Sequence, residues 1–187
     1  RNRVMAHEFG QLIHHENDPF EYIWIDEGAA GLSEFISFGE SVDLEEEANS
    51  WTLNSSTSLR WWDGRNSDIG ASFLFLAYLA DKLGGPAAIR DLVSNPSLGG
   101  NGVESLSRNP GPGSTPIGTS MSEIFANFSA AVTLDSAQGA FGFSDLDLVD
   151  DCSNGGFCKG SISAENDQWS EAWQSSGHSV EGWGLKS

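Results

Sequence analysis

The run from Asp68 to Leu83, DIGASFLFLAYLADKL, is apolar on nearly every side when it is placed on a helix. A helix that is hydrophobic all round has to be covered by other elements. Gly84 and Gly85 follow the run, and glycine is a common helix stop. We therefore expect a central helix at 68–83 and a mainly α-helical domain of about five helices packed around it.

Two helices are predicted before this run. Between Asn2 and His15 apolar residues recur at helical spacing, and one face is expected to bury them. These residues are Met5, Phe9, Leu12 and Ile13. The second helix is expected to run from an N-cap at Asp26 to Phe38, because Gly39 then stops it and Pro19 favours a turn upstream.

Two further helices are predicted after the central run. Pro86 suits the first turn of a short helix that ends at Val93. Ser120 and Glu123 have the spacing of a capping box, so a last helix is expected to begin at Ser120. Between the helices, residues 40–67 are expected to form an ordered connection pinned by three tryptophans, and residues 94–119 a long surface loop.

The composition changes at about residue 136, which divides the chain into a helical domain (1–135) and an irregular Gly- and Trp-rich tail (136–187). The tail is expected to pack on the same domain, with short strands around its cysteines and with tryptophans as anchors: Trp169, Trp173 and Trp183. Cys152 and Cys158 flank a glycine-containing loop, which favours a local disulfide and an oxidising compartment. A pair of free thiols is the alternative, while a zinc site at these cysteines would lack ligands.

The chain carries 27 acidic and 9 basic residues, a formal net charge of −18. Such a surface repels phosphate groups, which argues against nucleic acid or an anionic membrane as a partner. No stretch approaches the roughly 20 apolar residues of a membrane-spanning helix. The composition is therefore that of a folded protein outside the nucleic-acid-binding and membrane-spanning classes.

The segment MAHEFGQLIHH (5–15) and the later segment WIDEG (24–28) carry the residues with the clearest chemistry. In a His-Glu-x-x-His helix the two histidines lie on one face and bind Zn²⁺, and the Glu beside them takes a proton from water. His7 and Glu8 fill the first two places, but Gln11 stands where the second histidine belongs. His14 cannot replace it, because seven residues along a helix correspond to about 10 Å.

Together these segments resemble the secreted gluzincin metallopeptidases, particularly the hyicolysin-like group, whose pattern is similar to His-Glu-Phe-x-His-Leu-Ile followed by Trp-x-x-Glu-Gly. Residues 70–79 and 122–128 are similar to later helices of those enzymes, so the resemblance covers roughly residues 1–135. It implies the helical C-terminal lobe of a gluzincin-type fold. It also implies a zinc cofactor, a protein or peptide substrate and an extracellular or cell-surface location.

Carried over by position, the resemblance makes His7 and Glu27 zinc ligands, with Gln11 in the place of the third. Glu8 becomes the general base and acid, and Glu34 and His14 are candidates for outer positions that support the site. Because the sequence begins inside the motif helix, an N-terminal lobe of the same precursor is an expected partner.

Two departures from the family pattern support a second hypothesis. Gln11 offers an amide oxygen, a poor zinc ligand, and Ile69 stands where a tyrosine is expected. The chain is then a non-catalytic extracellular module, such as a surface-layer or filament subunit, on a degenerate peptidase scaffold. Calcium is a further possible cofactor, through the acidic residues of the tail: Asp145, Asp147, Asp150 and Asp151.

Overall fold

The computed structural model of the chain describes residues 2–53, 57–59 and 61–160. These ranges form seven α-helices and one two-stranded sheet, which confirms the prediction of a mainly α-helical fold. The elements are α1 (Asn2–Asn17), α2 (Ile23–Phe38), α3 (Val42–Thr52), α4 (Asn66–Leu83), α5 (Pro86–Val93), α6 (Gly99–Arg108), α7 (Met121–Leu134), β1 (Leu148–Val149) and β2 (Phe157–Cys158).

Helix α4 is the centre of the molecule, as its sequence predicts. Phe73, Phe75 and Tyr78 are fully buried, together with the leucines between and beside them. Helices α2 and α3 pack directly on α4, and α1 packs on the other side of α2. Glycines permit the close helix crossings: a Cβ on Gly28 of α2 would lie 2.6 Å from the backbone oxygen of Ser72 on α4.

An aromatic cluster joins α7 to this centre. The Phe128 ring stacks on Trp51 of α3 at 5.4 Å between centroids and meets Phe75 edge-on at 5.1 Å. The predicted capping box of α7 is present, since Ser120 Oγ accepts from the Glu123 backbone N–H and Glu123 Oε2 accepts from the Ser120 N–H. The last helix is thus positioned both by its cap and by its buried aromatic face.

The regions predicted to be connections each contain a helix. Within 40–67, α3 begins where Ser41 Oγ accepts from the Leu44 N–H, and it buries Leu44 and Trp51. Trp61, in contrast, is exposed. Within 94–119, the glycine-rich start of α6 is needed for packing, because a Cβ on Gly102 would collide with the Ser97 carbonyl oxygen.

The predicted burial of the first helix is wrong. Five apolar side chains of α1 are between 46% and 68% exposed and are called here the α1 apolar face: Val4, Met5, Phe9, Leu12 and Ile13. Helix α1 instead packs on α2 through the side that carries His7, Gly10, Gln11 and His14. Packing against small residues of α2 allows a closer approach than the larger apolar residues would.

The predicted N-cap of α2 is also wrong. The helix begins three residues before Asp26, with Tyr22 as its N-cap. Asp26 lies in the first turn, where its carboxylate is bonded to His14 of α1. The Asp26 carboxylate therefore interacts with His14 of α1 and does not cap α2.

Residues 136–160 pack on the helical core. Asp135 ends α7 in the left-handed conformation, and its carboxylate accepts from the backbone N–H groups of Phe143 and Leu148. Strands β1 and β2 pair in parallel, with Leu148 opposite Phe157. The Phe157 ring reaches Phe73 of α4 at 5.8 Å, so the short sheet is anchored to the central helix.

The predicted disulfide between Cys152 and Cys158 is present and closes the loop that leads into β2. The predicted tryptophan anchors lie outside the described residues: Trp169, Trp173 and Trp183. Among the described helices, none has the length and apolar character needed to cross a membrane.

Candidate functional site

The packing of α1 against α2 places the two strongest metal-ligand candidates side by side. A Cβ on Gly10 would lie only 3.4 Å from the Cα of Ala30, so the two helices come close together at this level. One turn earlier on α1, His7 Nε2 lies 3.2 Å from Glu27 Oε2 on α2. Two residues that are twenty positions apart in sequence therefore form one polar site, called here the α1–α2 site.

The environment of His7 favours its protonated form in the metal-free protein. The hydrogen bond to Glu27 raises the pKa of His7, and the charges of Glu27, Glu8 and Glu34 raise it further, while burial opposes them. Both side chains of the pair are about one-fifth exposed, at 23% for His7 and 20% for Glu27. The pair is therefore sheltered by the helices but still reachable from solvent.

The spacing of this pair is compatible with two ligands of one zinc ion. Zinc binds histidine nitrogen and carboxylate oxygen at about 2.0–2.2 Å, which in a tetrahedral site leaves roughly 3.3 Å between the two donor atoms. The observed separation between His7 Nε2 and Glu27 Oε2 is 3.2 Å. These two residues therefore fit the cofactor that the sequence predicts.

The remaining predicted residues lie around this pair. Gln11 is half-buried one turn further along α1, on the side that faces α2, and Glu8 is exposed. Within the part of the chain that the structure describes, no three His, Cys, Asp or Glu side chains are grouped so that they could hold a metal ion. Gln11 therefore stays a predicted third donor, named by the sequence resemblance.

Glu34 belongs to the surroundings of the site and has other hydrogen-bond partners. Its Oε1 accepts from Ser41 Oγ at 3.1 Å and from Arg3 Nη1 at 3.4 Å. Arg3 also donates to the backbone oxygens of Phe38 and Gly39 at the end of α2. Glu34 therefore connects α2 to Arg3 of α1 and to Ser41, the N-cap of α3, and its charge acts on His7.

Glu47 of α3 is a carboxyl group near the site that the sequence interpretation did not identify. Burial raises its pKa to about 7, and the negative charges of Glu34, Asp43 and Glu27 raise it while His7 lowers it. One sequence signal could have identified Glu47. Leu44, Ala48 and Trp51 recur at helical spacing after a Ser41 cap, and this pattern predicts a helix beside α4 that carries Glu47. The site therefore has a further carboxyl group that is partly protonated near neutral pH.

His14, predicted as an outer residue of the site, forms a separate pair. Its Nδ1 lies 2.9 Å from Asp26 Oδ1, and its side chain is 3% exposed. Among the described residues, no hydrogen bond or ion pair joins His14 to His7 or Glu27. The structure thus shows two histidine–carboxylate pairs along the same helix interface.

The acidic residues proposed as calcium ligands do not converge. Asp150 is 3.2 Å from Lys159 Nζ, and Asp151 Oδ1 accepts from the Ser153 N–H in a local turn. Asp145 lines a small apolar pocket between α2, α4 and residues 143–146. Calcium thus remains a prediction with no further support from this region.

A scan against protein-family models and a search of curated proteins each found no match to the chain.

Proposed function

We propose that the chain is the helical part of a secreted, gluzincin-type zinc peptidase that hydrolyses peptide bonds. The observation that carries this proposal is the 3.2 Å separation between His7 Nε2 and Glu27 Oε2 across the α1–α2 interface. The sequence resemblance names these two residues as ligands of one ion, and their positions suit that role.

His7, Glu27 and the amide oxygen of Gln11 would hold the zinc ion. Bound zinc supplies a Lewis acid that polarises a peptide carbonyl and makes water a better nucleophile. Glu8 is exposed beside His7 and is the residue available to take a proton from water and to deliver it to the leaving amine. An amide oxygen is a weaker zinc donor than an imidazole, so we expect this site to bind zinc less tightly than a complete His-Glu-x-x-His site does.

The disulfide between Cys152 and Cys158 supports an extracellular or cell-surface location, since disulfides persist in oxidising compartments. The net charge of −18 would favour protein or peptide substrates over anionic polymers. The disulfide concerns the location of the protein and the net charge concerns its substrate class. Neither argument depends on the zinc site.

The second candidate function is a non-catalytic assembly module. The α1 apolar face favours it, because exposed apolar side chains grouped on one helix are typical of a surface that another protein covers. An N-terminal lobe of the same precursor is one partner that would cover this face. In this case the α1–α2 site would be a remnant without activity.

Metal analysis and proteolysis of the tag-free chain separate the two candidates. The peptidase proposal predicts hydrolysis of casein that a chelator abolishes, that zinc restores and that Glu8→Gln removes without loss of zinc. Restoring the motif with Gln11→His should raise both zinc affinity and activity. Absence of hydrolysis in both the wild-type chain and the Gln11→His variant, with zinc bound, would favour the assembly module.

A further inference from the structure

An apolar pocket lies between α2, α4 and residues 143–146 and is called here the α4 pocket. Its lining includes Leu32 and Ile36 of α2, Ala80 of α4, and Phe143, Asp145 and Leu146 of the segment after α7. The Ile36 side chain is 53% exposed, so the pocket opens to solvent on this side. Apolar surface that faces water gains free energy when an apolar group covers it. The α4 pocket is therefore suited to an apolar side chain that enters from outside the helical core.

The described part of the chain ends close to this pocket, at Gly160. Phe157 precedes Gly160 by three residues, and its ring centroid lies 6.3 Å from that of Phe35, which also lines the pocket. Phe157 is paired with Leu148 of β1, two residues after the lining residue Leu146. Two separate contacts thus place the end of the described chain beside the pocket wall.

Residues 161–187 follow Gly160 and carry three tryptophans: Trp169, Trp173 and Trp183. Trp169 is the first of them, nine residues after Gly160, and nine extended residues span about 30 Å. The contact between Phe157 and Phe35 puts the pocket wall well within that distance. Closing a shorter loop costs less entropy than closing a longer one, which favours Trp169 over the two later tryptophans.

The chemistry of the α4 pocket matches an indole. An indole combines a large apolar body with one N–H donor, which usually finds an acceptor when the ring is buried. Leu32 and Phe143 offer apolar walls to the ring, and the exposed carboxylate of Asp145 offers an acceptor at the rim. The other carboxylate of the lining, Asp81, is already paired with Lys82 Nζ at 2.7 Å.

We propose that the α4 pocket takes the indole of Trp169, so that residues 161–187 are held against α2 and α4. Asp167 and Glu171 flank Trp169 and repel Asp145, so the docking would be driven by apolar burial and not by ion pairing. Salt screens this repulsion and leaves apolar burial in place, and the docked state should therefore persist at high salt. The proposal uses no residue of the α1–α2 site.

Hydroxyl-radical footprinting of the tag-free full chain, read by mass spectrometry, measures how accessible Trp169 is. In the full chain, Trp169 should be oxidised about 10-fold more slowly than in a free peptide of residues 161–187, because burial of a large apolar side chain strongly favours the docked state. The same protection is expected at high salt.

Two variants of the pocket test where Trp169 is docked. Ile36→Ser removes part of the lining and Ala80→Leu fills the space, so each should remove most of the protection of Trp169. Ile23→Ser is the matched control, since Ile23 lies on the same helix, is 47% exposed and is not part of the pocket lining. Circular-dichroism melting curves identify any variant that merely fails to fold.

NMR of methyl groups gives a second readout from the side of the pocket. An indole ring shifts the signals of the methyl groups that it covers, so Trp169→Ala should move the Ile36 and Ala80 signals and leave that of Ile23 in place. Trp183→Ala should leave all three signals unchanged.

The proposal is overturned if Trp169 is oxidised as fast in the full chain as in the peptide. It is also overturned if protection survives both pocket variants, because the indole would then be docked elsewhere. Ile36 and Ala80 signals that respond to Trp173→Ala or Trp183→Ala, and not to Trp169→Ala, would contradict it as well. None of these measurements involves zinc or proteolysis, so their outcome is independent of the proposed peptidase activity.

Discussion

Gly28 of α2 lies against the backbone of Ser72 on α4, and this contact sets the position of the neighbouring Glu27. A Cβ at Gly28 would be 2.6 Å from the Ser72 carbonyl oxygen and 2.8 Å from the Leu76 side chain. Such distances leave no room for a methyl group, so any larger residue has to push α2 away from α4. The metal-ligand candidate Glu27 is carried on that helix.

Gly28→Ala should therefore destabilise the fold, by about 1–3 kcal/mol as typical for overpacking, and should weaken zinc binding at His7 and Glu27. Gly31→Ala is the matched control on the same helix, because its Cβ would make ordinary contacts of 3.4 Å or more. Helix propensity should make that control neutral or stabilising, by up to about 1 kcal/mol. Urea unfolding measures both variants; equal effects would contradict the proposed tight crossing.

Phe9→Ser should change the free energy of unfolding little, because the Phe9 side chain is 61% exposed. Surface substitutions usually stay within about 0.5 kcal/mol. Phe73→Ala, at a fully buried position, should cost about 3–5 kcal/mol. A loss at Phe9 as large as that at Phe73 would mean that the α1 apolar face is buried in the isolated chain.

Glu47→Gln should stabilise the metal-free protein at pH 8 and not at pH 4. The folded-state pKa of about 7 exceeds the ordinary value of 4.5, so the folded protein holds the proton more tightly than the unfolded chain does. The free energy of unfolding of the wild type therefore falls as pH rises through this window, by at most about 3 kcal/mol. The amide cannot ionise and avoids this loss.

Urea unfolding in the presence of a chelator at the two pH values measures the Glu47 effect. Glu46→Gln is the control, since Glu46 is an exposed neighbour on the same helix. A Glu47→Gln variant that is less stable than the wild type at pH 8 would contradict this prediction, because the ionised carboxylate would then stabilise the fold.

The imidazole of His7 should titrate above its ordinary pKa in the metal-free protein, and Glu27→Gln should lower that pKa. The raised pKa means that the His7–Glu27 pair stabilises the fold fully below the unfolded-state value and loses this contribution as pH rises through the folded-state value. NMR titration of the imidazole protons reads the pKa directly. An unchanged His7 titration in the Glu27→Gln variant would show that the two side chains do not interact in solution.

The sequence predicts a helix correctly where the signal lies within that helix. The apolar run of α4, the Pro86 start of α5 and the Ser120–Glu123 capping box each encode their structure in a few neighbouring positions. Helix α6 is not predicted from the sequence, because its glycines are required by packing against another segment. Gly102 is required by the Ser97 carbonyl of the preceding segment, and a glycine needed for packing cannot be distinguished in sequence from a glycine in a loop.

The candidate site was predictable only in part, for the same reason. The resemblance names His7 and Glu27 as ligands of one ion, and the structure places His7 Nε2 3.2 Å from Glu27 Oε2. Asp26 was assigned to a cap although its partner is His14 on another helix, and Glu47 was not considered because α3 was not recognised. The face of α1 that is predicted to be buried is exposed. An amphipathic pattern shows which face of a helix is apolar, but it does not show whether another part of the chain covers that face.

Anomalous diffraction at the zinc edge, from crystals of the chain grown with zinc, shows directly whether His7 and Glu27 bind one zinc ion. We expect an anomalous peak within about 2.0–2.2 Å of both His7 Nε2 and Glu27 Oε2. A zinc-containing crystal with no peak between His7 and Glu27, in the wild type and in the Gln11→His variant, would contradict the claim.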